Sequence, residues 1–192
     1  MMGMQIENHW LQPARRLLSP NCNERPGTAD IKLLVIHAIS LPPGCFGEDY
    51  ISDLFANRLD PQCHPYFEEV AGLQVSSHLL IDRQGSVTQY VPFNGRAWHA
   101  GESCFQGEEN CNDFSIGIEL EGCDDQPFEQ IQYQQLAAVT RALMDVYPGI
   151  NQHRIVGHSD IAPGRKTDPG PCFDWQYYFA LLNDQTQERI NE

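Results

Sequence analysis

Positive charge is scarce in this sequence. Its 192 residues include 12 lysines and arginines against 26 aspartates and glutamates, so the formal net charge is −14 at pH 7. A surface with that charge repels nucleic acid and anionic lipid, and we expect neither nucleic acid nor a membrane as a partner. An acidic ligand would need a local basic patch, for which Arg165 and Lys166 are candidates.

Long apolar runs are also missing. No run approaches the roughly 20 residues of a membrane span, and the opening MMGMQIENHWLQPARR has no apolar core of a secretory signal. The hydrophobic content of 41% is ordinary for a folded protein. We therefore expect one globular domain over residues 1–192, a monomer, located in the cytoplasm.

Paired cysteine motifs are absent although cysteine itself is not rare. The number of cysteines is odd, and no two form a C-x-x-C pair, which disfavours a disulfide framework and a four-cysteine zinc site. Unpaired thiols fit a reducing cytoplasm. The seven are Cys22, Cys45, Cys63, Cys104, Cys111, Cys123 and Cys172.

Several common catalytic signatures are missing as well. The sequence contains no H-E-x-x-H helix motif, no P-loop and no G-x-S-x-G elbow. No cysteine lies in a recognisable nucleophile context, although counting alone leaves cysteine–histidine catalysis open.

The patterns that are present predict a mixed fold of the α/β (α+β) class, a single mixed β-sheet flanked by helices. Apolar runs and alternation predict strands, and helical periodicity predicts helices, the last of which has Asp174 as its cap. Residues 92–114 form the longest loop candidate, and a loop of that length usually belongs to a site. The predicted strands cover 31–39, 76–91 (two strands around a turn at 82–85), 115–122 and 153–158, and the predicted helices cover 50–59, 133–147 and 174–190.

The stretch GHSDIAPGRKTDPGP, residues 157–171, is dense in groups that bind metals or move protons. Its prolines and glycines predict a stiff loop without a helix or a central strand. His158 stands at the end of a predicted strand, Asp168 follows ten positions later, and Lys166 lies between them.

Two strand residues are candidates to join this loop. His37 ends an apolar strand, where a buried structural histidine is the more common case and a metal ligand the alternative. Glu119 alternates with apolar residues, which by itself favours a solvated carboxylate face. Ser115 and Gly117 on the same face are small, however, and predict open space beside the carboxylate for water or a substrate.

Two histidines and one carboxylate with an open fourth position make a catalytic zinc set. Glu119 would then be the base for the attacking water and Lys166 the group that stabilises the oxyanion. Spacing alone favours a metal hydrolase, and a metal-binding or peptide-binding module is the alternative.

Beyond these patterns, the chain resembles the zinc-dependent N-acetylmuramoyl-L-alanine amidases, which include phage amidases and peptidoglycan-recognition proteins. The resemblance covers about residue 10 to about residue 180 and is most specific in GHSDIAPGRKTDPGPCFDW. Four further motifs are similar to the cytoplasmic branch called AmpD, namely LLVIHAISLPPGCFG, VSSHLLIDRQGSVTQYV, RAWHAG and CNDFSIGIELEG.

The resemblance implies a mixed sheet with zinc at one edge, held by His37, His158 and Asp168. It implies Glu119 as the proton acceptor and Lys166 as the stabiliser of the transition state. The implied reaction is hydrolysis of the amide between the lactyl group of a muramic sugar and L-alanine, with 1,6-anhydro-muropeptides from cell-wall recycling as substrates. A muropeptide-binding module without turnover is the alternative, but such a module is expected to lack a ligand of the zinc set.

Some positions depart from the family's pattern. Ala38 stands where relatives usually carry asparagine, and Gln74 and Asn110 stand where several carry arginine. These departures concern substrate contacts and leave the zinc set complete.

Trp98 and His99 of RAWHAG are further candidates to line the substrate groove. The remaining histidines are expected to be structural in one case, His78, and exposed in three, His9, His64 and His153.

Overall fold

The computed structural model describes residues 3–27 and 30–184. Its strands are β1 (Gln5–Glu7), β2 (Trp10–Gln12), β3 (Arg15–Arg16), β4 (Cys22–Glu24), β5 (Leu33–Ile39), β6 (Leu79–Ile81), β7 (Val87–Gln89), β8 (Gly95–Ala97), β9 (Cys104–Phe105), β10 (Glu108–Glu109), β11 (Ser115–Glu121) and β12 (Ile155–Gly157). Its α-helices are α1 (Tyr50–Phe55), α2 (Phe67–Val70), α3 (Gln130–Val146), α4 (His158–Ile161) and α5 (Trp175–Asn183), and short 3-10 helices cover Cys111–Asp113 and Gln152–Arg154.

A six-stranded mixed sheet organises the fold, in the order β12-β5-β11-β6-β7-β3. The four strands from β12 to β6 run parallel to their neighbours, β7 is antiparallel to β6, and β3 is parallel to β7. Because parallel strands end at the same edge, this order collects the carboxyl ends of β5, β11 and β12 side by side, where α/β sheets usually bind ligands.

The two faces of the sheet are covered differently. One face packs against α3 and α5 and forms the largest apolar cluster, which includes Ile36, Ile118, Leu136 and Tyr178. On the other face, a smaller cluster joins Leu33 and Val35 of β5 to Ala100 and other residues of the 92–114 segment. The central strands are therefore buried on both sides, as parallel strands usually are.

Strand alternation decides which side chains of β11 point away from the face covered by α3 and α5. Ile116, Ile118 and Leu120 join the cluster under α3 and α5, so the side chains between them point to the opposite face. The prediction of a solvated carboxylate face on β11 is wrong, because all seven residues of the strand are buried.

The mixed sheet flanked by helices is confirmed, although several elements differ in extent from the predicted ones. The helix predicted over 174–190 begins at Trp175, with the Asp174 side chain accepting from the Tyr177 N–H, and residues 185–190 lie outside the described part. The segment 92–114 contains β8, β9, β10 and a 3-10 turn, so it is not a structureless loop. Within the described ranges, no helix is long and apolar enough to cross a membrane.

Candidate active site

Three residues predicted as metal ligands meet at the carboxyl edge of the sheet. His37 lies near the end of β5, and Gly157 of β12 pairs with Ile36, so His158 follows directly beside His37. Asp168 returns from the 157–171 segment, where its backbone carbonyl accepts from the Ser159 N–H at 3.0 Å. His158 and Asp168 lie 121 and 131 positions after His37 in the sequence, and the fold brings all three side chains together.

His158 begins the short helix α4, which corrects the prediction that the 157–171 stretch has no helix. Its first residues contain no proline or glycine, and the Asp160 carboxylate accepts from the Gly157 N–H at 2.7 Å, which stabilises the helix start. Apart from Gly157, the prolines and glycines of the stretch lie after this first turn, so they end α4 without preventing it.

The donor atoms of this trio form a nearly equilateral triangle. His37 Nδ1 and His158 Nδ1 are 3.0 Å apart, and each lies 3.1 Å from Asp168 Oδ2. Tetrahedral zinc with bonds of about 2.0–2.1 Å has ligand atoms roughly 3.3 Å apart. The three residues therefore fit a zinc ion with an open fourth position.

Outer contacts decide which nitrogen of His158 is available. Its Nε2 lies 3.1 Å from the Ala100 carbonyl oxygen, which can only accept a hydrogen bond. The Nε2 of His158 must then carry the proton, and its Nδ1 presents a lone pair to the centre of the trio. A lone pair 3.1 Å from a carboxylate oxygen is unfavourable unless a cation lies between them, which is why this donor set suits a metal.

Burial shapes the protonation of the trio. It lowers the pKa of His37 to about 4, against the opposing effect of Asp168, so this imidazole is neutral at pH 7. Burial would raise the pKa of Asp168, but the hydrogen-bonding approach of His158 and His37 outweighs it and holds the pKa below its usual range. A neutral imidazole and an ionised carboxylate are the states that ligate zinc.

Glu119 lies beside this trio, because the parallel register pairs it with His37. Its side chain is 9% exposed, and its Oε2 is buried without a hydrogen-bond partner among the residues that the structure describes. Burial, and then the nearby Asp168 charge, raises the pKa of Glu119 well above its usual value, while Lys166 lowers it. An unpartnered buried carboxylate oxygen with a raised pKa is typical of a general base.

Glu121, two residues further along β11, shows what a satisfied carboxylate looks like on the same face. Its two oxygens accept from the backbone N–H groups of Gly47 at 2.6 Å and Arg83 at 3.1 Å. Glu121 therefore holds two loops in place, whereas Glu119 has an oxygen free for another group.

A cleft of about 590 Å³ opens over Glu119, His158 and Asp168. That volume suits a small-molecule ligand. Lys166 is exposed and lines this cleft together with Glu119, and its ammonium has the sign needed beside a developing oxyanion. The far side of the cleft is apolar and is formed by Leu41, Leu54, Phe55, Tyr66, Val70, Leu73 and Val75.

Three of the predicted substrate-binding residues line the cleft, namely Ala38, Trp98 and His99. Ala38 is half-buried at the end of β5 and also packs against the helical-face cluster. The Trp98 indole N–H donates to the Asn23 side chain at 2.6 Å.

The other three lie elsewhere. Gln74 is exposed and outside the residues that line the cleft. Asn110 and Arg165 line a separate cavity, and the Arg165 guanidinium donates to the Ala100 and Glu102 carbonyls. These two backbone contacts hold the guanidinium in place, and the role of Arg165 toward an acidic ligand stays a prediction.

The expected open space beside Glu119 is partly filled. A Cβ on Gly117 would lie 2.5 Å from the His99 ring, so the imidazole occupies the volume over this glycine. Ser115 Oγ lies 3.1 Å from His99 Nε2. The small residues of β11 thus accommodate a histidine, and the remaining space lies further along, at the Glu119 carboxylate.

Sequence patterns did not reveal the contacts behind the trio. Ala100 and Asn112 stand in the motifs RAWHAG and CNDFSIGIELEG, but a backbone oxygen and a single asparagine have no distinctive spacing that would predict these contacts. The length of the 92–114 segment was a further signal. His78, expected to be structural, is buried and accepts from the Gly117 N–H, and the three histidines expected at the surface are exposed.

Family comparison identifies the class of protein to which this fold and site belong. A family model described as N-acetylmuramoyl-L-alanine amidase matches residues 27–171. The chain belongs to the N-acetylmuramoyl-L-alanine amidase family.

Within that family the similarity is more specific. The chain is 57% identical over 183 residues to 1,6-anhydro-N-acetylmuramyl-L-alanine amidase AmpD of Escherichia coli K12, covering 95% of this chain and all of that protein. A crystal structure of a selenomethionine AmpD derivative superposes with a TM-score of 0.91 at 55% identity, covering 93% of this chain and 99% of the other. The E. coli amidase AmiD, solved with anhydro-N-acetylmuramic acid-L-Ala-D-γ-Glu-L-Lys, superposes with a TM-score of 0.60 at 32% identity, covering 93% of this chain and 65% of the other.

Proposed function

We propose that this protein hydrolyses the amide between the lactyl group of 1,6-anhydro-N-acetylmuramic acid and L-alanine in muropeptides, with zinc as its cofactor, during cytoplasmic peptidoglycan recycling. The AmpD relatives, which carry this activity in their names, and the AmiD complex with an anhydro-muropeptide support the substrate class. The convergence of His37, His158 and Asp168 is the observation that carries the proposal.

Zinc is the cofactor that this donor set favours. Two imidazoles and one carboxylate leave a net charge near +1 on the ion, and three protein ligands leave a position for reaction. When bound there, zinc polarises a carbonyl oxygen and makes water a nucleophile at neutral pH.

Glu119 and Lys166 supply the remaining chemistry. The Glu119 carboxylate takes a proton from the attacking water, whose oxygen bonds to the scissile carbonyl carbon. The Lys166 ammonium lies at the cleft wall and stabilises the negative charge that develops on the carbonyl oxygen. Glu119 then gives its proton to the nitrogen of L-alanine as the carbon–nitrogen bond breaks, which leaves a lactyl carboxylate and a free peptide.

Mass spectrometry of the products tests this function. The protein is incubated with an anhydro-muropeptide before and after chelation, and we expect anhydro-N-acetylmuramic acid and the free peptide only in the metal-loaded sample. Recovery of intact muropeptide from zinc-loaded protein, with binding detected by calorimetry, would instead identify a muropeptide-binding module.

The metal assignment has a separate test. We expect about one zinc per chain by elemental analysis, and little zinc in His158→Ala, because two donors hold the ion poorly. The exposed His153→Ala is the matched control and should keep full zinc. Full occupancy of His158→Ala would show that the ion binds elsewhere.

Cytoplasmic location, a monomeric state and one catalytic domain complete the proposal. All seven cysteines are free, which is typical of a reducing compartment. Alkylation of the unfolded protein immediately after cell lysis should find free thiols throughout, and sedimentation should give the mass of one chain. Oxidised cysteine pairs would contradict the location, and a dimer mass would contradict the monomer.

A further inference from the structure

One dipeptide of the 92–114 segment contacts both candidate zinc histidines from behind. His99 Nδ1 lies 2.9 Å from His37 Nε2, and the Ala100 carbonyl oxygen lies 3.1 Å from His158 Nε2. Neither contact is with a metal-facing nitrogen. Both are with the nitrogen that must carry the proton if Nδ1 is to bind a metal.

A single side chain holds this dipeptide. Asn112 Oδ1 accepts from the His99 N–H at 3.1 Å and from the Ala100 N–H at 2.8 Å, and Asn112 is 6% exposed. The same oxygen therefore fixes the backbone on which the His99 ring and the Ala100 carbonyl are placed.

We propose that His99 and the Ala100 carbonyl, held by Asn112, are a positioning unit that sets the tautomer and orientation of both metal-binding histidines. The Nε2–H of His37 donates to His99 Nδ1, and the Nε2–H of His158 donates to Ala100. His99 then carries its own proton on Nε2 and donates it to Ser115 Oγ at 3.1 Å. Each Nδ1 of the metal pair is left as a lone pair aimed at the ion.

The geometry of β11 supports this role over simple space filling. Gly117 has no Cβ, and one built there would lie 2.5 Å from the His99 ring, so a larger residue would push the ring away from His37. The ring centroids of His37 and His99 lie 5.0 Å apart, a separation compatible with the hydrogen bond between the two nitrogens. His99 therefore has a defined position with a partner at each nitrogen.

This inference rests on the proposed zinc function, and its test separates the two. Zinc affinity is measured by competition with a chromophoric chelator for the unsubstituted protein, His99→Phe, His99→Asn and Asn112→Ala. Losing an outer contact of a metal histidine typically lowers affinity about 10- to 100-fold, and we expect His99→Phe to fall in that range. Asparagine places an acceptor oxygen near the position of Nδ1, so His99→Asn should regain much of the loss.

Asn112→Ala tests the unit without removing the His99 ring, and we expect it to weaken zinc binding as well.

His78→Phe is the matched control. His78 is another buried histidine on this face, with its ring centroid 5.7 Å from that of His99, but it hydrogen-bonds to Gly117 and Gly95 and to no metal ligand. The zinc affinity of His78→Phe should stay near that of the unsubstituted protein.

Nitrogen-15 NMR of the zinc-loaded protein gives a readout that a merely structural role would not move. We expect His37 to be protonated at Nε2, with a slowly exchanging signal that is lost in His99→Phe. Zinc affinity of His99→Phe equal to that of the unsubstituted protein, or protonation of His37 at Nδ1, would overturn the positioning role. An unsubstituted protein that takes up no zinc would overturn the proposed function itself.

Discussion

Replacing Glu119 by glutamine should remove turnover while making the metal-free protein more stable. Glutamine keeps the shape of the side chain but cannot accept a proton from water. Loss of a general base typically lowers the rate about 10²- to 10⁴-fold, which corresponds to roughly 2.7–5.4 kcal/mol at 1.36 kcal/mol per decade. Zinc content should not change, because Glu119 is outside the ligand trio.

The gain in stability follows from burial of the carboxylate. Burial raises the pKa of Glu119 in the folded protein above that of the unfolded chain. The folded state then binds more protons, so its free energy of unfolding falls as the pH rises above about 4.3. Glutamine lacks this dependence, and urea unfolding of metal-free protein at pH 5 and pH 7.5 should show a smaller loss in Glu119→Gln.

Glu121→Gln is the matched control on the same strand and face. Its carboxylate accepts two backbone N–H groups, and a glutamine amide can accept at only one of its two positions. We expect about 1–3 kcal/mol lower stability with turnover largely kept. Near-normal kcat in zinc-loaded Glu119→Gln, or equal losses of turnover in the two variants, would refute the assignment of Glu119 as the base.

Three further outcomes are expected. Lys166→Ala should keep zinc and lose about 10²- to 10³-fold in kcat, and kcat near normal with zinc bound would remove it from the mechanism. Ala38→Asn, at the cleft edge, should leave zinc content unchanged and raise kcat/KM on anhydro-muropeptide at least several-fold. Asparagine can pair with a polar group of the substrate, and leaving such a group buried and unpaired costs roughly 1–3 kcal/mol, or about 5- to 150-fold. An unchanged kcat/KM would show that alanine at position 38 costs no substrate contact. Burial, and then the Arg25 charge, lowers the pKa of His78 to about 3, so the free energy of unfolding should fall between about pH 6.5 and pH 3. Urea titrations of His78→Asn should show a shallower decline with pH, and an identical slope would contradict a buried neutral His78.

Alternation along β5 and β11 was enough to predict where His37 and Glu119 point. Alternation was not enough to predict whether the face that carries these two side chains is exposed to solvent. The cover over β5 and β11 comes from residues 92–114, and the alternation of a strand does not show what will pack on it. The prediction of a solvated carboxylate face failed for that reason.

Other differences have similarly local causes. Strands of two or three residues, such as β3 and β9, are too short to show a period. The helix α4 escaped prediction because the prolines and glycines of 157–171 were weighed together, although its four residues contain neither. The donation of Arg165 to the carbonyls of Ala100 and Glu102 was not predicted, because backbone acceptors leave no pattern in a sequence.

The alternation of β11 also bears on how such a protein can diversify. Ile116, Ile118 and Leu120 hold the strand against the helices, and Glu119 lies between them. A one-residue shift that moved Glu119 to the other face would expose the apolar set, so the strand resists gradual change. Gln74 lies outside such constraints, on an exposed segment that tolerates substitution. Substitutions are therefore accessible in such a loop, while the position of Glu119 stays fixed by the register of the sheet.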